Sequence, residues 1–285
     1  MAEMIFASQN GRNIPREDKI FGISNRAKAR VGREGKDKVV NATIGALLND
    51  DGKLIVLSSV DEVFRSLTPQ DYAEYAPIGG TAGFKEAVKK DVFRGFTPEN
   101  FTEVIATPGG TGAIRNTVAN YTESGDTILT ADWFWSPYNT IAQELGRKLD
   151  SFQLFDEHGD FNSGSLEKKV HEILKNQERL VIIINTPSHN PTGYAFTDDD
   201  WEAVINIVNS ASKEKKITLL VDAAYVDFAG DEEESRSFLP ALSKAADDVL
   251  IVIAHSLSKA YTLYGLRCGA MICMTGSRNV AEEFK

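Results

Sequence analysis

The chain has 285 residues, of which 42% are hydrophobic and 25% charged, a composition typical of a globular protein with a substantial core. Its formal net charge of −10 argues against a nucleic acid or an anionic membrane as partner, because both require a basic surface. The sequence shows no secretory signal pattern, no apolar run near the roughly 18 residues of a membrane-spanning helix, and only two cysteines, so a cytoplasmic location is predicted.

The chain up to about residue 50 is polar and interrupted by glycine and proline, which predicts an arm with one short helix. From about residue 100, apolar β-branched runs alternate with amphipathic stretches, the pattern of an α/β protein with a mainly parallel sheet. The predicted strands are 103–107, 127–131, 151–155, 180–185, 217–222, 249–254 and 268–274. The predicted helices are 112–123, 137–146, 165–176, 198–213 and 237–246.

One lysine draws attention because it follows a buried strand within a short polar turn. The run 249–254 is apolar and β-branched, and directly after it come Ser256, Ser258 and Lys259. Ligand sites of open α/β sheets lie at the carboxyl ends of strands, where this lysine is placed. A lysine attacks a carbonyl only when it is neutral, which requires partial burial or a neighbouring cation such as Arg267. A surface lysine at a strand end is the alternative interpretation.

Two more strands end in polar side chains that would face the same crevice. The strand 217–222 ends in Asp222, and Tyr225 follows three residues later. The strand 180–185 leads into an Asn-Pro-Thr-Gly turn that begins at Asn190, whose amide suits a ligand oxygen. Taken singly, the aspartate also suits a helix N-cap or a metal ligand, and the turn also suits a plain surface loop. Their pairing with the lysine favours a shared site.

A glycine-rich turn follows the strand 103–107 and opens a helix. Gly110 and Thr111 lie in this turn, so backbone N–H groups stay free at the positive end of a helix, an arrangement that suits phosphate. The turn lacks the Lys-Ser/Thr pair of a Walker loop, which disfavours adenosine triphosphate. Trp135 follows the strand 127–131, where an indole forms either one wall of a flat-ring site or part of the core.

Together these motifs resemble the fold-type I, pyridoxal-phosphate-dependent aminotransferases of class I and II, and the aspartate aminotransferase-like members most closely. The resemblance runs from about residue 41 to the C-terminus. Its markers, in chain order, are Ile44-Gly45-Ala46, Tyr75-Ala-Pro-Ile-Gly-Gly80, Gly110-Thr-Gly-Ala113, Trp135, Asn190-Pro-Thr-Gly193, Asp222-Ala-Ala-Tyr225 and Ser256-Leu-Ser-Lys259 through Arg267. The resemblance implies a three-layer αβα large domain around a mainly parallel seven-stranded sheet, with an N-terminal arm and part of a small domain.

The resemblance also implies pyridoxal 5′-phosphate as the cofactor, and it assigns catalytic roles to three residues. Lys259 would hold the cofactor as a Schiff base and move a proton, Asp222 would pair with the pyridine nitrogen, and Tyr225 would contact the phenolic oxygen. The other implied cofactor contacts are Gly110, Thr111, Trp135, Asn190, Ser256, Ser258, Arg267 and, from a neighbouring subunit, Tyr75. The substrate would lie beside Gly45, Trp135 and Asn190. No metal site is predicted.

Two further implications concern particular residues. Because Tyr75 matches a tyrosine that reaches the phosphate of the neighbouring subunit, a homodimer with shared sites is expected. Asn185 would orient the surroundings of Asp222. Gly109 departs from the hydroxyl residue that many relatives carry, which removes one possible phosphate contact.

The implied reaction moves an amino group between an L-amino acid and a 2-oxo acid by a ping-pong route. A lyase of the C–S β-lyase type and a cofactor-binding regulatory module stay as alternatives, because the same pocket serves them. A dinucleotide-binding dehydrogenase is excluded, since no Gly-x-Gly-x-x-Gly opens a first βαβ unit. We expect residues 1–55 to form the arm and a partial small domain, and residues 56–285 the cofactor-binding large domain. The C-terminal small domain of the family, with its carboxylate-binding arginine, is expected to be absent.

Overall fold

The computed structural model describes residues 19–43 and 45–285 of the chain. Residues 1–18 of the predicted arm and the marker residue Ile44 lie outside the described residues. In the described part, the chain is organised around one seven-stranded sheet, which confirms the predicted α/β fold.

The strands match the predicted ones closely. They are β1 (Phe101–Pro108), β2 (Thr127–Ala131), β3 (Lys148–Phe152), β4 (Arg179–Asn185), β5 (Lys216–Asp222), β6 (Val249–Ser256) and β7 (Cys268–Thr275). The helices of the described residues are α1 (Lys19–Glu34), α2 (Ser58–Ser66), α3 (Pro69–Ala73), α4 (Ala82–Phe93), α5 (Gly109–Tyr121), α6 (Pro137–Glu144), α7 (Ser163–Leu174), α8 (Asp198–Ser212), α9 (Phe238–Leu242), α10 (Leu257–Ala260) and α11 (Arg278–Phe284). None of them is both long and apolar enough to cross a membrane.

The strands lie in the order β1-β7-β6-β5-β4-β2-β3. Strand β7 is antiparallel to both of its neighbours, and the other adjacent strands are parallel. Because β7 runs the opposite way, its first residue lies beside the last residues of β1 and β6: Cys268 pairs with Pro108, and Gly269 pairs with Ser256. The loop between β6 and β7 therefore projects from the same edge as the ends of the parallel strands.

The central strands are continuous apolar runs because helices cover both faces of the sheet. In β4, Ile182 and Ile184 pack into the cluster that contains α4, α7, α8 and α9. Their neighbours Val181 and Ile183 point to the opposite cluster, which contains residues of α5, α6 and α11. All eight residues of β6 are buried. These two apolar layers make the fold a three-layer αβα sandwich.

Strand β3 lies three residues earlier than the predicted 151–155. It is the edge strand and pairs on one side with β2, from Lys148 opposite Thr127 to Phe152 opposite Ala131. An edge strand is covered less than a central one, so its paired residues include polar Lys148, Asp150 and Ser151. The apolar residues from Phe152 onward shifted the prediction towards the C-terminus.

Three helices, α2, α3 and α4, occupy a region for which no element is predicted. Helix α4 carries a recognisable signal, because Thr81 caps it by accepting from the Phe84 N–H, and it buries Val88, Val92 and Phe93. Helix α2 differs: within this described segment no residue of the helix is buried, although it carries apolar Val63 and Phe64. The segment around α2 and α3 therefore presents apolar side chains to solvent.

Candidate active site

The carboxylate of Asp222 lies at the end of β5, buried under the crevice that the sequence predicts. Its Oδ2 accepts a hydrogen bond of 2.5 Å from the Tyr138 hydroxyl, and its Oδ1 accepts one of 3.2 Å from the Ala224 N–H. Burial raises the pKa of Asp222, although both hydrogen bonds act in the opposite direction. Burial and the neighbouring Asp222 charge likewise raise the pKa of Tyr138 well above its ordinary value, so the phenol keeps its proton and donates.

Asn185 links the ends of two strands. Its Nδ2 donates to the carbonyl of Asp222 at 2.8 Å, and its Oδ1 accepts from the backbone N–H of Asn190 at 2.7 Å. Asn185 and Asp222 are paired residues in the β4–β5 register, which places the carboxamide beside that carbonyl. The side chain thus links the turn that carries Asn190 to the strand that carries Asp222.

Lys259 lies in the short helix α10, half-buried, and its amine is surrounded by three groups. Its Nζ donates to the carbonyl of Gly45 at 2.9 Å and lies 5.3 Å from the ring centroids of both Tyr225 and Tyr264. Two aromatic faces stabilise an ammonium between them. The Tyr264 hydroxyl also accepts from the N–H of Leu47 at 3.2 Å, which ties the segment after Gly45 to the loop that carries the lysine.

The predicted phosphate contacts converge on the start of α5. The first N–H groups of a helix have no partner inside it, and here they include those of Gly110 and Thr111. Arg267 approaches the same place, with guanidinium nitrogens 3.4 Å from the hydroxyls of Thr111 and Ser258. Ser256 lies against Gly110, where a β-carbon would be 3.1 Å from the Ser256 Cβ. The N-terminal end of α5, the nearby hydroxyls and the Arg267 guanidinium therefore surround one concave site with hydrogen-bond donors.

Trp135 and Tyr138 come from one turn after β2. Their rings meet edge to face, with centroids 5.6 Å apart and planes at 83°. Trp135 lines the cavity. Tyr138 does not line it: this tyrosine is fully buried, and its hydroxyl donates to the Asp222 carboxylate. One turn therefore supplies both a ring surface and a hydrogen-bond donor.

A cavity of about 170 Å³ opens between these groups. Of the predicted site residues, the following line it: Gly110, Thr111, Trp135, Asn190, Asp222, Tyr225, Ser256, Ser258, Lys259 and Arg267. Gly45 contacts the site through Lys259. Tyr75 is fully exposed and is not among the residues that line the cavity. Three larger clefts, of about 990, 850 and 710 Å³, are lined in part by Arg94 and share no lining residue with this cavity.

A second, buried polar group supports the end of β6. His255, whose Nε2 lies 3.2 Å from Asp91 Oδ2, precedes Ser256 directly. Arg94 also pairs with Asp91, at 3.0 Å. Burial acts to raise the pKa of Asp91, but hydrogen bonds from His255, Tyr261 and Arg94 outweigh it and hold that pKa well below its usual range. This group joins α4 to the strand from which the lysine-bearing helix emerges.

Sequence reasoning missed two residues of the site, Tyr138 and Tyr264. No motif in the sequence singles out Tyr138, and its partner Asp222 lies 84 residues further along the chain. Tyr264 contacts Leu47 across 217 residues. The one available signal was position: Tyr138 is three residues after Trp135, and Tyr264 lies in the loop between Lys259 and Arg267.

Residues 37–285 match the protein family "Aminotransferase class I and II". The chain belongs to this family. A structure of an aminotransferase from Anaerococcus prevotii shares 37% sequence identity and superposes with a TM-score of 0.95, covering 99% of this chain and 69% of that one. An aspartate aminotransferase of Pseudomonas aeruginosa is 25% identical over 92% of this chain and 64% of its own length.

A structure of an aromatic-amino-acid aminotransferase from Burkholderia pseudomallei, covalently bound to pyridoxal phosphate, has a TM-score of 0.78. It is 22% identical and covers 99% of this chain and 68% of that one, so it supports the fold. The present aminotransferase-family chain spans less than two thirds of the length of the curated relatives that it matches.

Proposed function

We propose that this protein is a pyridoxal-phosphate-dependent aminotransferase that moves an amino group between an L-amino acid and a 2-oxo acid by a ping-pong route. The observation that carries the proposal is the convergence of three groups on one cavity. These are the Lys259 amine, the buried Asp222 carboxylate and the donor group around Arg267. Family membership agrees with this reading.

The residues present fit this cofactor. Lys259 would hold it covalently through Nζ, and Asp222 would accept the hydrogen of its ring nitrogen. The remaining proposed contacts are Tyr225 and Asn190 at its phenolic oxygen, Trp135 at its ring, and Gly110, Thr111, Ser256, Ser258 and Arg267 at its phosphate. A glycine at position 110 suits the crowded backbone there, since a β-carbon would press on Ser256. When bound, pyridoxal phosphate supplies a ring that accepts electrons from the substrate α-carbon.

The side chains around the lysine prepare it for proton transfer. The Nζ of Lys259 points to the Gly45 carbonyl, so this amine is already held by an acceptor at the mouth of the site. We propose that Lys259 carries the transferred proton at Nζ, and that Gly45, Trp135 and Asn190 lie beside the substrate. The ring of Tyr225, whose centroid lies 5.3 Å from the same Nζ, would lie beside the lysine while its hydroxyl contacts the phenolic oxygen of the cofactor.

Reduction with borohydride provides the direct test. We expect the protein incubated with pyridoxal phosphate to absorb visible light and to be fixed to the cofactor at Lys259 after reduction. The Lys259→Ala variant should lose both signals, whereas Lys169→Ala, which removes a lysine paired with Asp150 elsewhere, should keep them. A colourless protein, or labelling that persists in Lys259→Ala, refutes the proposal.

The reaction type has its own assay. Amino donors offered with 2-oxoglutarate or pyruvate should convert these acceptors into glutamate or alanine. Release of pyruvate, ammonia and the free thiol from a cysteine S-conjugate, without any acceptor, would instead identify a C–S β-lyase. Cofactor binding with neither reaction would favour a regulatory module.

We further propose a homodimer in which Tyr75 serves the neighbouring site. Support comes from its complete exposure and from the uncovered apolar side chains of the same segment, such as Val63 and Phe64. Mixing Tyr75→Phe chains with Lys259→Ala chains tests the idea, because a hybrid dimer would contain one intact site. Activity should exceed that of either variant alone, and an unchanged sum would oppose shared sites.

Two further proposals concern the domain organisation and the location of the protein. We propose that residues 1–55 form the arm with part of a small domain and that residues 56–285 form the cofactor-binding domain. We also propose a cytoplasmic location, which is supported by the two free cysteines, Cys268 and Cys273.

A further inference from the structure

The hydroxyl of Tyr138 makes a buried hydrogen bond to the carboxylate that would meet the cofactor. The oxygen atoms are 2.5 Å apart, and both side chains are buried, Tyr138 completely and Asp222 to within 5%. Burial on both sides shields this hydrogen bond from competition by solvent. The contact is therefore a main part of the carboxylate's environment.

Tyr138 is itself held firmly. Its backbone N–H donates to the Trp135 carbonyl at 3.0 Å, and its ring packs against Trp135 and, in a stacked arrangement, against Phe134. It lies in α6, which packs on the face of the sheet opposite to α7 and α8. A donor fixed in this way also fixes the rotation of its acceptor.

The charge on Asp222 needs such support. Burial penalises a charged carboxylate, and a hydrogen bond donated to the charged form opposes that penalty. The second oxygen has one weaker bond, of 3.2 Å to the Ala224 N–H, which leaves it with spare acceptor capacity. The other ionisable groups that line the cavity are Tyr225, Tyr264, Lys259 and Arg267.

We propose that Tyr138 is a positioning residue that keeps Asp222 ionised and turns its carboxylate towards the ring nitrogen of the cofactor. The inference rests on the proposed function, because the charge of Asp222 matters to the reaction only if that cofactor binds. Its role differs from those of Trp135 and Asn190, because Tyr138 acts entirely through Asp222.

The cofactor-free chain allows a test that does not depend on activity. The carboxyl carbons of aspartate are labelled with ¹³C, the Asp222 resonance is assigned with Asp222→Asn, and its titration is followed in Tyr138→Phe. We expect the midpoint to move to higher pH. Tyr194→Phe is the matched control, since it removes a tyrosine–aspartate hydrogen bond of 2.6 Å, to Asp200, far from the cavity. An unmoved midpoint in Tyr138→Phe, or an equal movement in Tyr194→Phe, overturns the proposal.

Two additional measurements complete the test. Tyr138→Phe should weaken binding of pyridoxal phosphate by roughly tenfold relative to Tyr194→Phe. If Tyr138→Phe does not fold, 3-fluorotyrosine at position 138 keeps the ring and strengthens the donor, so the Asp222 midpoint should move to lower pH; no movement refutes the role. Failure of the proposed function would appear separately, as absence of borohydride labelling at Lys259, while the Asp222 titration is read without cofactor.

Discussion

Arg267 lies directly over Gly109: a β-carbon on residue 109 would be 3.0 Å from the Arg267 Nη2. Gly109 has a φ of +72°, in the left-handed region that favours glycine. The same guanidinium reaches the hydroxyls of Thr111 and Ser258. The absence of a side chain at position 109 thus leaves room for the guanidinium beside the proposed phosphate site.

The first prediction concerns a substitution that restores a hydroxyl residue at position 109. Gly109→Ser should weaken binding of pyridoxal phosphate by about tenfold and lower the free energy of unfolding by about 2 kcal/mol, because it adds both backbone strain and a contact with Arg267. Gly52→Ser is the control, since Gly52 has a φ of +75° with nothing within 4 Å. Affinity is measured by equilibrium dialysis and stability by denaturant unfolding. Equal affinity of the two variants would contradict the explanation.

The second prediction concerns the carboxamide of Asn185. Asn185→Ala leaves the Asp222 carbonyl and the Asn190 N–H without this partner, so the free energy of unfolding should fall by about 1–3 kcal/mol. Asn209 offers a matched control, because its carboxamide joins the Lys244 carbonyl at 3.1 Å to the Ala246 N–H at 2.7 Å. Both variants should lose stability, but only Asn185→Ala should also bind pyridoxal phosphate more weakly. A similar affinity in both variants would argue against a link between the two cofactor-facing segments.

The third prediction is a pH dependence that arises from Asp91. Because its pKa in the folded protein lies below the ordinary 3.8, its stabilising effect is complete above that pH and is lost on acidification towards the folded value. Asp91→Asn should therefore lower the free energy of unfolding by about 2 kcal/mol at neutral pH and reduce its decline below about pH 4. The exposed pair of Asp61 with Arg65 supplies the control, since Asp61→Asn should change the free energy of unfolding far less than Asp91→Asn. Parallel acid-unfolding profiles for the wild type and Asp91→Asn would disprove it.

The fourth prediction tests how the segment after Gly45 is attached. Tyr264→Phe removes the acceptor of the Leu47 N–H, so hydrogen exchange of that amide should accelerate by roughly tenfold. The Leu57 N–H, which donates to the Thr262 Oγ1 at 3.3 Å, provides an internal control in the same variant. Equal acceleration at both amides would mean that the whole segment loosens, against a specific role of the Tyr264 hydroxyl.

The sequence predicts those parts of the fold that depend on local patterns. Apolar runs that end in a polar residue locate β4, β5 and β6, because buried strands of a parallel sheet are continuously apolar. They also locate Asp222 and Lys259, because both residues lie at or just after the ends of these strands. The bounds of the edge strand β3 are predicted less accurately, because its first residues are polar and give no apolar run to recognise. Helix α2 is only 9 residues long, which is too short for a helical period to be recognised with certainty in the sequence.

The contacts that complete the site are not local, and a single sequence does not display them. The Tyr138 hydroxyl meets Asp222 only because β2 and β5 end at one edge of the sheet, with β4 between them. The resemblance supplies the predicted cofactor contacts residue by residue, and the structure brings most of them around one cavity. The resemblance assigns no role to Tyr138, which lies outside its motifs, or to Tyr264, which lies between the marker residues Lys259 and Arg267.

The hydrogen bond between Lys259 and Gly45 joins atoms 214 residues apart in the chain. A contact with so large a sequence separation requires closure of a long loop, which opposes its early formation during folding. We therefore expect the lysine to gain this acceptor later in folding than the sheet forms its more local contacts. Capture of pyridoxal phosphate by a refolding chain would consequently mark arrival at the native state, rather than the earlier collapse of the sheet.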